Sequence, residues 1–224
     1  MGAYFLTGAT SGIGAATARI LADRGDDLVL VARDREKGAD LGAAFPGAVV
    51  LVADLQDLDR IVDPGLPDRI DGAVHAAGVV DVALLADTDR ESLVRTVEVN
   101  LTAPMLWTQV LLEPVRRARG THVFVNSGSG LHANAGWASY NASKFGLRGF
   151  ADALRLEEAE HGVRVSTVYP GRTATPMQQQ VHAQEGKEYD PHAWIRPETV
   201  AGEIVRLLDL GRDATVPDLV IRPN

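Results

Sequence analysis

The chain has 224 residues, 46 % of them hydrophobic, and a formal net charge of −8. That length suits one domain with a sizeable core, and the acidic balance argues against nucleic acid as the main partner. No apolar run approaches the roughly 18 residues a bilayer span needs, and the lack of cysteine excludes disulfides, thiolate zinc sites and cysteine nucleophiles while fitting a reducing, cytoplasmic location.

Short apolar runs alternate with helical patterns along the chain. The opening Met1-Gly2-Ala3-Tyr4-Phe5-Leu6 has no basic region, so a strand over residues 4–7 is expected there and no signal peptide. A helix over 13–24 closes at Gly25, and strands follow over 27–32, 48–53 and 71–76. A long helical stretch covers 91–117, with Pro104 and Pro114 expected to bend or interrupt it. A fifth strand covers 121–126, a long helix 137–160 with Gly162 just beyond it, and a sixth strand 163–168. Residues 172–196, rich in Gln and His, show no clear periodicity and read as a functional or mobile loop. A helix over 197–210 opens on Pro197 with an acidic first turn, and a last strand covers 218–221. Strands that are continuous Val/Ile/Leu runs are buried on both faces, so seven of them with helices between imply a doubly wound α/β domain around a parallel sheet.

Tyr140 and Lys144 are four residues apart, which on a helix puts both side chains on one face. A nearby ammonium favours the phenolate and lowers the phenol pKa, so the pair is a candidate acid/base device for a carbonyl or an alcohol. Ser127 lies thirteen positions before Tyr140, at the end of an apolar run. Gly8, Gly12 and Gly14, in Thr7-Gly8-Ala9-Thr10-Ser11-Gly12-Ile13-Gly14, lie between the first strand and the first helix. Glycines at such a place permit a tight turn and let a diphosphate approach a helix amino terminus.

Taken together, these motifs resemble the short-chain dehydrogenase/reductase family, with its Thr-Gly-x-x-x-Gly-x-Gly loop and Tyr-x-x-x-Lys site. The resemblance runs from Thr7 to about Val200 and implies one Rossmann-like domain over residues 1–224, with a substrate lid at about 172–196. It implies catalytic roles for Asn100, Ser127, Tyr140 and Lys144: Tyr140 exchanges the proton, Ser127 is a second donor to the substrate oxygen, Lys144 also holds the nicotinamide ribose, and Asn100 holds a relay water. It implies cofactor contacts by Gly8, Thr10, Ser11, Gly12, Ile13 and Gly14, by Asp54 and Leu55, and by Ala76, Ala77 and Gly78, where His75 and Ala76 replace the usual Asn pair. Asn100, Tyr140, Lys144, Pro170, Gly171, Thr173 and Thr175 complete that set. Asp54 has a second reading as the cap of a following helix, and His75 reads as a satisfied core residue. Arg33, just after the second strand, suits a 2′-phosphate and favours NADP(H) over NAD(H), although Asp34 and Glu36 are placed to hold it in a surface pair.

The function implied is an NADP(H)-dependent oxidoreductase interconverting a carbonyl compound and an alcohol. The alternative is a catalytically silent NADP(H)-binding sensor of the same fold. Neither a metal nor a membrane is expected, and the resemblance implies a homodimer or homotetramer packed through the two long helices, 91–117 and 137–160. Met177, Trp194, His132 and Trp137 are candidate pocket walls around a small or medium apolar substrate. A serine-hydrolase reading of Asn126-Ser127-Gly128-Ser129-Gly130 fails, because Asn126 stands where the first Gly of G-x-S-x-G belongs.

Overall fold

The computed structural model describes residues 1–57 and 65–224. Seven strands form one parallel sheet: β1 (Ala3–Thr7), β2 (Asp27–Ala32), β3 (Val49–Val52), β4 (Gly72–His75), β5 (Thr121–Val125), β6 (Arg164–Pro170) and β7 (Asp218–Ile221). Their order is β3-β2-β1-β4-β5-β6-β7. The winding therefore reverses between β1 and β4, and in open α/β sheets ligands bind in the crevice outside the strand ends at such a reversal.

Successive side chains of a strand point to opposite faces, and here both faces are covered. Tyr4 and Leu6 of β1, Leu28 and Leu30 of β2, Val74 of β4 and Val123 of β5 face one cluster, shared with α1 (Gly12–Asp23) and α7 (Pro197–Leu208). Phe5, Val29, Val31 and Ala73 face the other, against Trp107, Leu111 and Val115 of α4 (Ala103–Ala118). Phe124 packs on that side against Leu147, Ala151 and Leu154 of α5 (Ala138–Glu157). Burying one such side chain contributes roughly 1.5–3 kcal/mol. That is why the runs Tyr4-Phe5-Leu6 of β1 and Leu28-Val29-Leu30-Val31-Ala32 of β2 are uninterrupted apolar stretches.

Three elements differ from the sequence expectations. Helix α2 (Arg35–Ala44) lies between β2 and β3, where no helix is expected. It buries only Gly38 and Leu41, too little apolar surface to leave a periodic stripe, and is started instead by Asp34, whose carboxylate accepts from the Lys37 N–H at 2.8 Å. The stretch over 91–117 is two helices, α3 (Arg90–Val97) and α4, joined by a π turn at Glu98–Thr102. Pro104 falls in the first turn of α4, where a missing N–H is harmless, and Pro114 sits inside α4 without ending it. The supposed loop holds α6 (Pro176–Gln184), capped by Thr175 and opened by Pro176.

His75 is in the core but is only partly satisfied. Its Nε2 lies 3.4 Å from both His122 Nδ1 and Thr108 Oγ1, while its Nδ1 and the Nε2 of His122 have no partner. Burial pulls His75 well below the usual histidine range and His122 down to about 4, so both are neutral in the fold near neutral pH. The unfolded chain gains protons on them below about 6.5. Their contribution is therefore intact above that pH and is lost as pH falls towards 4, at up to ~1.4 kcal/mol per pH unit for each. His122→Phe should flatten the pH dependence of the urea midpoint between pH 6 and 4 by about one proton; an unchanged slope would contradict this.

Candidate active site

The carboxyl ends of β1, β4, β5 and β6 open on a cleft of about 1180 Å³. Its first wall is the turn from β1 into α1. Gly8 and Gly12 have φ of +74° and +54°, a region open to glycine at no steric cost. A Cβ on Gly8 would lie 2.6 Å from the Ala77 N, so the turn lies backbone to backbone on the segment after β4. Gly14 does not line the cleft. A Cβ there would lie 2.3 Å from the Gly8 carbonyl oxygen, so its role is to let the helix close on the turn. The amino end of α1 has no side-chain cap at Ser11. Its first N–H groups, with the positive end of the helix dipole, fit the diphosphate of a dinucleotide.

Thr10, Ser11, Ile13, Arg33, Asp54, Leu55, Ala76, Ala77, Gly78, Pro170, Gly171, Thr173 and Thr175 all line the same cleft. Several of these side chains are engaged within the protein. Arg33 is exposed and donates to Asp34 at 2.9 Å, in the surface pair that is its second reading. Asp54 accepts from the Gln56 N–H at 3.0 Å, a local turn cap. Thr173 donates to the Gly171 carbonyl at 3.0 Å and Thr175 to the Thr173 carbonyl at 3.2 Å, shaping the bend into α6. Arg19 and Lys37 line the cleft at the Arg33 end and escape notice in the sequence, because nothing in their spacing marks them.

At the other end, Ser127 follows β5 and Tyr140 and Lys144 lie in the first two turns of α5. Tyr140 is 6 % exposed and Lys144 3 %. The ammonium lies 5.7 Å from the centre of the Tyr140 ring and donates to the Val125 carbonyl at 3.1 Å. Burial pulls Lys144 down to about 8, so most molecules keep its charge at pH 7. Burial pushes the Tyr140 phenol up, and its hydrogen bond with the Ser127 side chain offsets only part of that. The expected lowering of the phenol pKa is thus overturned in this structure: the charge sits beside the ring while desolvation acts on the oxygen. Tyr140 keeps its proton at neutral pH.

Asn126 enters the sequence reading only as the residue that breaks a hydrolase motif, with no role of its own. It is buried, accepts from the Ser127 N–H at 2.8 Å and donates to the Lys144 carbonyl at 3.0 Å, so one amide fixes the end of β5 to α5. A Cβ on Gly130 would lie 2.4 Å from its Oδ1. Its place next to Ser127 at a strand end was the available signal. Ser129 donates its N–H to the Ser127 hydroxyl at 3.2 Å. Asn100 lies behind the cleft wall, in the π turn. Its amide donates to the Val79 carbonyl at 2.8 Å and to Ser143 Oγ at 3.1 Å, and accepts from the Val79 N–H at 2.8 Å, so the side chain braces the segment around Gly78. Trp137 and Met177 pack near Tyr140 with Val82, against the buried Val80 and Val181. His132 and Trp194 do not line the cleft; Trp194 lies against His182.

The strand order and the crevice at its reversal place the chain among doubly wound, Rossmann-like proteins. The family model described as short chain dehydrogenase matches residues 3–186. A 3-oxoacyl-[acyl-carrier-protein] reductase of Bos taurus is 36 % identical over 178 residues, covering 76 % of this chain and 75 % of the relative. An uncharacterised short-chain type dehydrogenase/reductase of Sinorhizobium fredii is 30 % identical over 224 residues, covering 98 % and 90 %. An oxidoreductase of the short chain dehydrogenase/reductase family from Burkholderia thailandensis is similar in structure, with a TM-score of 0.86 at 30 % identity, covering 98 % of this chain and 90 % of that one. The chain belongs to the short-chain dehydrogenase/reductase family of oxidoreductases.

Proposed function

We propose that the chain is an NADP(H)-dependent oxidoreductase that interconverts a ketone or aldehyde and an alcohol, with Tyr140 as the acid/base group. The observation that carries this is the buried Tyr140 with the Ser127 hydroxyl facing it and the Lys144 ammonium beside it, in a cleft that continues to the glycine turn. The residues fit a dinucleotide: a tight glycine cradle, an uncapped helix end for the diphosphate, and Lys144 for the nicotinamide ribose. When bound, that cofactor supplies or accepts the hydride. Tyr140 donates its proton to the carbonyl oxygen as charge builds there, and Ser127 offers a second hydrogen bond, an oxyanion-type contribution. Lys144 stabilises the phenolate that remains. Because the resting phenol is protonated, the site is set for reduction at neutral pH; alcohol oxidation needs the phenolate and gains with rising pH.

Residues 172–196 form the lid, with Met177 and Val181 on α6 turned towards Tyr140. Met105 and Phe145, 41 % and 42 % exposed on α4 and α5, provide the apolar surface for pairing with a second copy. The test is consumption of NADPH, followed at the reduced-nicotinamide absorbance, with a panel of ketones and aldehydes. Binding with no consumption across the panel would favour the sensor reading.

Arg33 selects NADP(H) in this reading by leaving Asp34 for the 2′-phosphate, a charge-assisted contact stronger than a surface pair. Arg33→Asp should shift the ratio of kcat/KM for the two cofactors towards NAD(H) by about tenfold or more. An unchanged ratio would remove Arg33 from the site.

A further inference from the structure

We infer that the substrate is a neutral, largely apolar carbonyl compound, and that carbonyl compounds bearing a carboxylate or phosphate are rejected. This rests on the redox reading of the same site. The wall beside Tyr140 is built from valines, a methionine and the edge of Trp137, whose ring centre lies 5.7 Å from that of Tyr140. The guanidinium groups at this end of the cleft are engaged by carboxylates of the chain itself.

Among the described residues, the cations that line this end besides Lys144 are Arg95 and Arg172. Arg95 donates to Asp81 at 2.5 Å, and Asp81 also accepts from Ser92 at 2.7 Å. Arg172 donates to both carboxylate oxygens of Glu185, at 2.7 and 3.0 Å, and lies 5.4 Å over the Trp194 ring. Both carboxylates are held below their usual range by these contacts. Gln178, one of the amides lining the cleft, is bonded through Nε2 to His182 Nδ1 at 2.9 Å. Lys144 is held by the Val125 carbonyl beneath the reacting centre.

A substrate anion would have to draw Arg95 from Asp81, leaving that carboxylate without its guanidinium, or draw Arg172 from its two-oxygen pair with Glu185, leaving Glu185 to Lys187 at 3.0 Å. The cost falls on the carboxylates, which are the more buried partners at 21 % and 12 % exposure. The chain's net charge of −8 opposes the approach of anions as well. An uncharged ring or branched chain meets neither cost and gains from the apolar wall.

The test compares three ketones of one shape: cyclohexanone, methyl 4-oxocyclohexanecarboxylate and the free 4-oxocyclohexanecarboxylate, at pH 7 with saturating NADPH. The two neutral compounds should be reduced with similar kcat/KM and the acid about a hundredfold less well. Asp81→Asn and Glu185→Gln each leave a guanidinium uncompensated, and each should narrow the ester-to-acid gap by about tenfold. They lie on separate elements, so misfolding of one leaves the other readable. The proposal is overturned if the wild-type protein reduces the acid as well as the ester, or if neither variant changes the gap. If none of the three consumes NADPH, the redox reading itself has failed for these ketones. Calorimetric binding to the NADP⁺-loaded protein then still reads charge selection: ester without acid upholds it, and equal binding, acid preference or no binding of either overturns it.

Discussion

Tyr140→Phe should reduce turnover by about 10³–10⁴-fold while leaving NADPH affinity within about twofold. The change removes one oxygen from a ring held by Val80, Val181 and the edge of Trp137, so the packing that positions α5 stays in place. Ser127 remains as a hydrogen-bond donor, but an aliphatic hydroxyl is far less acidic than a phenol and cannot replace it as the acid. Lys144 keeps its hydrogen bond to the Val125 carbonyl and stays available to the ribose. Chemistry and cofactor binding should therefore separate. Initial rates at saturating NADPH and a fluorescence titration of NADPH read the two. Near-normal rates would remove Tyr140 from the chemistry, and a parallel loss of affinity would show that the variant disturbs the fold.

Lys144→Met should abolish most turnover, by about 10³-fold, and at the same time make the protein more stable at pH 7. Burial holds Lys144 at about 8 against an ordinary value of 10.5. A buried cation with a depressed pKa is a cost to the fold that is fully present below about pH 8. The cost declines as pH rises to about 10.5, because over that window the unfolded chain holds a proton that the folded chain has lost. The shift corresponds to about 3 kcal/mol. Loss of the hydrogen bond to the Val125 carbonyl offsets about 1–2 kcal/mol of the relief. A net gain on the order of 1–2 kcal/mol is expected at pH 7, vanishing near pH 10.5. The same titration predicts that kcat/KM for reduction declines above about pH 8 in the native protein, as the charge beside the phenol is lost. Denaturant unfolding at pH 7 and 10 checks the stability claim; a variant less stable than the native protein at pH 7 would contradict it.

The two results together describe a site in which function is held against stability. Lys144 and Tyr140 would be easier to accommodate as Met and Phe. The fold retains them by fixing both from the end of β5: Asn126 ties its own strand to the Lys144 backbone, and the Val125 carbonyl receives the ammonium. Glycines at the β1–α1 turn serve the same end, since a side chain at Gly8 would force the turn off the segment carrying Ala76 and Ala77, and one at Gly14 would force α1 off the turn.

Much of this is legible in the sequence, for identifiable reasons. Strands β2 and β7 match their apolar runs residue for residue, and β2, buried at every position after Asp27, has the continuous apolar run of a strand covered on both faces of a parallel sheet. The elements that are not legible are those whose signal is not apolar. Helix α2 depends on the Asp34 cap and α6 on Thr175 and Pro176, and neither buries enough to leave a 3.6-residue stripe. The close approach of Ser127, Tyr140 and Lys144 follows from one strand end facing the first turns of the next helix, which the spacing captures. The direction of the phenol shift does not follow from spacing, because burial enters only with the fold. Nor does the placement of Asn100, which depends on a π turn that directs its amide to Val79 and Ser143 rather than into the cleft.

The central claim is that this cleft moves a hydride between a nicotinamide and a carbonyl carbon while Tyr140 supplies the proton. The most direct measurement uses NADPH deuterated on the transferred face at C4, with methyl 4-oxocyclohexanecarboxylate as acceptor. The account predicts one deuterium on the carbinol carbon of the product, formed by the native protein and at least about 10³-fold more slowly by Tyr140→Phe. Label retained in the cofactor, or transferred at the same rate by the variant, would contradict it.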